Sequence, residues 1–212
     1  MKIFKKEKLL NGRVHVYFCG IKIASYEKSK PNIMGTGNII RINKSSNITL
    51  TIYGNNNTVI VDNKECLDNF NITIGIPDCL CNNCIIRIAN NFSSNGANML
   101  VLEDNTVIEI GNDCMFSSNI TFWPSDTHTI TDTDGNITNI GKYIKIGNHV
   151  WIGYGATILK NTIIPDNCII GTCSVVSGKF EKTNCVIAGN PAKIVKENAN
   201  WDRRRPKQYL NK

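Results

Sequence analysis

From residue 110 to residue 176 one class of side chain returns every sixth position. Ile110, Phe116, Phe122, Ile140, Ile146, Ile152, Ile158, Ile164, Ile170 and Val176 share a single phase. Small or β-branched residues, among them Cys114, Val150, Ala156, Thr162, Cys168 and Ser174, recur two places before them, and glycine follows the leading residue at 111, 141, 147, 153 and 171. A period of six is not the 3.6 of an amphipathic helix; as a multiple of two it suits strands. It fits short straight strands joined by turns, each pointing one bulky residue into a narrow prism, with three strands per coil and each coil hydrogen-bonded to the last in a parallel sheet. Burial of each inward Ile, Val or Phe contributes about 1.5–3 kcal/mol before entropy is subtracted, so the repeat is a core.

Upstream the period loosens. NIIRI, NITLTIYGNNNTVIV, NITIG, CIIRI and MLVLEDNTVIEIG read as strands separated by Asn and Gly turns, and are expected to form earlier, less regular coils. The organisation expected is an N-terminal cap over residues 1–30, with a hairpin through RVHVYF and GIKIAS; a β-helical domain over 31–190 with a loop at about 124–139; and a basic tail over 191–212. The tail should turn helical or irregular, disrupted by Pro206.

At 212 residues and 42% apolar content the chain is long enough for one substantial core. It carries 24 Lys and Arg against 17 Asp and Glu, a formal charge of +7, which suits an anionic partner as well as simple solubility. Charge alone does not name that partner, and a nucleic acid is not expected. No 18-residue apolar run is present, and the basic start lacks the continuous apolar segment of a signal peptide. The expected location is the cytoplasm. Nine cysteines, an odd number, then read as free thiols. Cys79, Cys81 and Cys84 in CLCNNC lack a second ligand pair at zinc spacing, and no metal is expected. Sequons such as Asn71-Ile72-Thr73 read as Asn-rich turns.

The stretch PSDTHTITDTDGNITN breaks the ladder between Phe122 and Ile140, a separation of one full coil, so the phase survives while the filling does not. It is expected to leave the prism as a loop, and polar loops on rigid scaffolds commonly carry function. His128 occupies a position that the repeat would give to isoleucine, with Asp126 two residues before it and Trp123 nearby. A neutral imidazole accepts a proton at working pH, and a carboxylate beside it favours the resulting cation. A structural loop histidine remains open as an alternative. His15 falls in a strand-like segment, and His149, in IGNHVW, reads as an exposed scaffold residue.

The phrases GNHVWIG, IIGTCSVVSG and IAGNPAKIV, in that order within residues 144–195, with a loop His about two dozen residues before the Trp, resemble the hexapeptide-repeat acyltransferases, the galactoside, maltose and xenobiotic O-acetyltransferases among them. The resemblance is tight over 108–196 and general in texture before that. It implies a left-handed parallel β-helix, all-β with a protruding loop, assembled as a homotrimer and using acetyl-CoA. By position it implies that His128 is the catalytic base, with Asp126 beside it, and that Trp151 packs near the thioester from the adjoining subunit. Gly153, Tyr154, Ala156, Thr172 and Ser174 would line the pantetheine arm, and Ser177, Lys179, Lys193 and Lys196 would lie near the nucleotide and its phosphates. The chain departs from the family pattern at Thr129, where Pro often stands; at Ser177-Gly178, where a Thr-Lys pair is common; and at Gly171-Thr172-Cys173, where GAG is usual.

The chemistry so implied is direct transfer, with His128 taking a proton from a hydroxyl that attacks the acetyl carbonyl, and an N–H near Gly153 or the Trp151 indole facing the oxyanion. Attack by a cysteine is the rival route, though Cys168 and Cys173 read as packing or corner residues. For the acceptor, the chain resembles the capsule and surface-polysaccharide O-acetyltransferases, including those acting on sialic acids; the Arg203–Arg205 run suits an anionic glycan and CoA equally. N-acetylation of an amino sugar nucleotide, a metal hydratase on the same helix and a non-enzymatic binding column stay open as alternatives.

Overall fold

The computed structural model describes residues 4–8, 13–18, 21–27, 31–42, 47–63 and 69–210, the first three stretches by their backbone alone. Three sheets wrap a single column. The first face carries Asn32–Met34, Ile48–Tyr53, Phe70–Ile74, Ala97–Val101, Ile120–Trp123, Thr157–Leu159 and Val175–Val176. The second carries Ile39–Ile42, Thr58–Val61, Ile85–Ile88, Val107–Ile110, Tyr143–Ile146 and Thr162–Ile164. The third carries Ser93–Ser94, Met115–Phe116, Trp151–Ile152, Ile169–Ile170, Val186–Gly189 and Ala192–Lys196. From Phe70 to Val176 the chain visits the faces in rotation, and neighbours on each face run parallel except the last pair, where Ala192–Lys196 folds back antiparallel on Val186–Gly189. A separate antiparallel sheet joins Phe4–Lys8, Arg13–Phe18 and Ile21–Glu27. The side chain of His15 lies outside the described residues.

The ladder residues Ile110, Phe116, Phe122, Ile146, Ile152, Ile158, Ile164, Ile170 and Val176 are all buried. The small positions between them are buried too: Cys114, Val150, Ala156, Thr162, Cys168 and Ser174 face inward. Phe70, Phe92, Phe116 and Phe122 form an aromatic chain inside the column with successive centroids 5.9, 4.7 and 5.7 Å apart, the first two pairs edge-to-face and the last stacked.

Corners demand a left-handed backbone. Ten of the fourteen described non-glycine residues with positive φ are asparagine, including Asn105, Asn119, Asn161 and Asn167, because Asn adopts this region with least penalty. The residue before each left-handed one also ties coil to coil: the Asn112 N–H donates to Asn148 Oδ1 at 2.8 Å and the Asn148 N–H to Asp166 Oδ1 at 2.7 Å. The asparagine richness of the chain is thus a requirement of turning.

One ladder position departs from the sequence reading. Ile140 is 57% exposed. Ile108 stands opposite Ile144, and Ile144 opposite Thr162, so one turn takes 36 residues and the next 18. The surplus leaves the column between Trp123 and Tyr143 and carries Ile140 with it; the phase survives because the excursion equals a coil in length.

The C-terminal segment also differs from expectation. Pro206 does not disrupt a helix but begins one, Pro206–Leu210, where its missing N–H costs nothing. Before it the chain runs back along the column. Trp201, 7% exposed, stacks on His149 at 4.2 Å and donates its indole N–H to the His149 carbonyl at 2.9 Å. Arg203 donates to the Asn91 and Cys114 carbonyls, each at 3.0 Å, and to Asp113 at 3.2 Å. His149 is therefore no bare scaffold residue. Its Nδ1 lies 2.6 Å from Asp113, and its ring is half-buried beneath Trp201.

Truncating Ile158 to Ala should cost about 2–5 kcal/mol in chemical denaturation, since it opens a cavity between coils. Ile140→Ala, outside the column, should stay within about 0.5 kcal/mol.

Candidate active site

The excursion leaves the column at the corner between the first and second faces. Its neck is closed by Pro124 and Gly141: a Cβ on Gly141 would lie 2.1 Å from the Pro124 carbonyl oxygen, so only glycine fits. Glu103 accepts the Gly141 N–H at 3.0 Å, with its carboxyl pushed up by burial. At the tip, Thr131 pairs with Ile137, and Asp132 accepts the N–H groups of Asp134 and Asn136.

His128 lies between neck and tip. Its N–H donates to the Asp126 carbonyl at 2.7 Å across Thr127, whose φ is +67°. This is a γ-turn centred on a β-branched residue in the left-handed region, a strained arrangement that persists only where surroundings hold it. They do so through two side chains. Lys160 bonds the Asp126 carboxylate and the Asn139 carbonyl. Asn139, buried, donates to Asp126 at 2.9 Å and to the His128 carbonyl at 2.7 Å, and accepts from the Ile130 N–H at 2.9 Å. The His128 imidazole itself is exposed and has no hydrogen-bond partner among the described residues.

The Asp126 carboxylate is thus spent on Lys160 and Asn139, whose hydrogen bonds hold its pKa below the usual carboxylate value. It fixes the turn rather than orienting the imidazole. Lys160, Asn139, Thr127 and Glu103 escaped the sequence reading. Lys160 was findable: Trp123 pairs with Leu159, so the residue after Leu159 must sit over the point where the loop departs.

The other candidate residues occupy two edges of the prism. Ser177 and Lys179 are exposed and follow the first face, at the same corner as Lys160 and one coil further on; Lys179 Nζ stands 6.0 Å from the Tyr143 ring. Trp151, 36% exposed, lies on the third face, and Gly153, Tyr154 and Thr172 form the corner that follows it. Lys193 and Lys196 are exposed on the last strand of that face. One chain therefore does not bring His128 and Trp151 together on one face.

Three assignments take a different form in the structure. The side chains of Ala156 and Ser174 point into the core, and Ser174 Oγ accepts the Gly189 N–H at 3.1 Å, so these residues offer an external ligand backbone alone. Gly153 is buried, a Cβ there would lie 2.8 Å from the Thr172 nitrogen, and its N–H donates to the Ile170 carbonyl at 2.9 Å. That N–H is spent on the coil and does not serve an oxyanion. The Tyr154 and Thr172 N–H groups and the Trp151 indole N–H have no partner among the described residues. Cys168 is buried against Cys185, with Sγ atoms 3.5 Å apart, and burial raises its thiol pKa; burial pushes Cys114 up to about 12. Neither is a ready nucleophile.

With this geometry in view, residues 143–178 match the family model "Bacterial transferase hexapeptide (six repeats)", which makes the column that of a hexapeptide transferase. The chain is 36% identical over 195 residues to a polysialic acid O-acetyltransferase of Neisseria meningitidis, spanning 83% of this chain and 89% of that one. The solved structure of the polysialic acid O-acetyltransferase OatWY superposes with a TM-score of 0.61 at 32% identity, over 82% of this chain and 93% of that one. The polySia-specific acetyltransferase NeuO shares the fold, with a TM-score of 0.63 at 23% identity over 84% of this chain and 90% of that one. The chain belongs to the hexapeptide-repeat acetyltransferase family, and its column is a left-handed parallel β-helix.

Because Asp126 ionises more readily folded than unfolded, its pairing with Lys160 stabilises the loop above the ordinary carboxylate pKa of about 4 and is lost as pH falls through the depressed folded value. Amide exchange of residues 128–131 should therefore quicken only below that value in the native protein, but already at neutral pH in Lys160→Ala.

Proposed function

We propose that this protein transfers an acetyl group from acetyl-CoA to a sugar hydroxyl of a bacterial capsular or surface polysaccharide, a sialic acid polymer being the favoured acceptor, and that it works as a cytoplasmic homotrimer. The observation that carries this reading is the free, exposed His128 imidazole on a loop held by Lys160, Asp126 and Asn139, in a chain with 36% identity to a polysialic acid O-acetyltransferase over most of both lengths.

The residues present suit the donor. Its acyl group travels as a thioester on a thin, amide-bearing chain ending in phosphates. The unpartnered Tyr154 and Thr172 N–H groups supply donors along one exposed corner, and Lys193 and Lys196, without a carboxylate partner among the described residues, supply charge near its end. His128 takes the proton of the attacking hydroxyl and returns it to the departing thiolate, help worth about 10²–10⁴ in rate. The Trp151 indole N–H is the donor left for the oxyanion. Since His128 and Trp151 stand on different edges, the site is complete where the loop edge of one copy meets the tryptophan edge of the next. Exposed Ile130 and Ile137 on the loop, with Trp123 at its base, supply apolar surface for that contact.

His128→Ala should lower kcat at least about a hundredfold and leave acetyl-CoA binding by calorimetry little changed. Thioester release measured with a sialic acid oligomer, set against neutral hexose and amino sugar acceptors, tests the substrate class. Shared sites carry their own mark: refolding His128→Ala together with Trp151→Ala should recover activity that neither variant has alone, because mixed trimers contain some sites with both residues intact. Recovery no greater than the sum of the two would exclude the shared arrangement.

A further inference from the structure

Trp151 borders two features. On one side is the Gly153–Tyr154 corner just discussed; on the other, reached through Val150 and His149, is the returning C-terminal segment. Between that segment and the Trp151 indole lies a cleft of about 610 Å³, within the range of about 300–1,000 Å³ seen for small-molecule sites. Trp201, Arg204, Pro206, Tyr209 and Leu210 form its walls with Trp151.

Aromatic faces and polar edges alternate there. The Trp151 and Trp201 rings are 6.4 Å apart at 51°. Tyr209 is 45% exposed, and the Arg204 guanidinium sits over its ring at 4.7 Å. Arg204 is clamped by Asp202 through Nε and Nη2, at 2.9 and 2.8 Å, and its Nη1 edge has no partner among the described residues. Angled aromatic rings take the apolar C–H face of a pyranose, and a fixed guanidinium edge takes a carboxylate or a pair of hydroxyls. The position also suits an acceptor, since Trp151 lines this cleft and stands next to the corner assigned to the donor.

We infer that the cleft between Trp151 and the C-terminal helix holds an acidic pyranose of the acceptor glycan, with Tyr209 as a stacking wall and Arg204 as the carboxylate-reading residue. This rests on the acetyltransferase reading and adds to it where the acceptor lies.

Steady-state kinetics with a sialic acid oligomer would test it on the full chain. Tyr209→Ala and Arg204→Ala should each raise the acceptor KM about tenfold, the upper end for one lost stacking contact, with the acetyl-CoA KM unchanged; Tyr209→Phe, which keeps the ring, should restore it. Thermal midpoints equal to that of the native protein guard against loss of the helix. An acceptor KM unmoved by either variant, or a rise confined to the acetyl-CoA KM, overturns the assignment. Should the native protein acetylate no sugar, the functional reading fails, and saturation-transfer NMR with the same oligomer decides the cleft separately: magnetisation passing from protein to oligomer and lost in Tyr209→Ala upholds it, and transfer that is absent or unaltered by the substitution refutes it.

Discussion

Everything in this molecule depends on the hydrogen bonding of each coil to the next. Parallel strands two or three residues long carry too few bonds to persist alone, and they are stable here because the residues between them continue the ladder. Trp151 and Gly153 donate to the coil above, at Cys168 and Ile170, while Met115 and Ser117 donate up to Val150 and Ile152. Buried Ile, Val and Phe then remove a continuous apolar column from water. Corners must turn sharply enough to keep those bonds in register, which is why asparagine in the left-handed region is as much part of the scaffold as isoleucine.

That rigidity is what makes a strained loop affordable. The excursion after Trp123 begins and ends at one corner, so its length leaves the column undisturbed. Its conformation is set from outside, by Lys160 on the following coil and Glu103 beneath the neck. The Thr127 γ-turn thereby presents an imidazole with no hydrogen-bond partner among the described residues, and apolar residues of the loop face solvent beside it. A group left this free on a base this fixed is suited to a proton transfer that requires position more than power.

The period of six was enough to place the regular coils, because each ladder residue has only the prism interior to occupy, and the departure at His128 was visible as a missing isoleucine. What stayed hidden was set by partners distant in sequence. Asp126 reads as a companion of His128 when only neighbours are counted; in three dimensions Lys160, 34 residues on, claims it. His149 reads as exposed until Trp201, 52 residues later, lies across it. Ala156, Ser174 and Gly153 match the family pattern by position, but an alternating strand hides its inward residues, and matching phrases do not say which way a side chain points. Pro206 looked like a break because helix interiors exclude proline, whereas a first turn welcomes it.

The returning C-terminal segment has a mechanical meaning. Stacked coils ordinarily interact only with their neighbours and can fray from an end one at a time. Here Trp201 and Arg203 reach past the last coils to His149, Asp113, Cys114 and Asn91, lashing successive layers together from outside. Peeling the top of the column must therefore first tear this strap away, so separate layers come apart as one cooperative block.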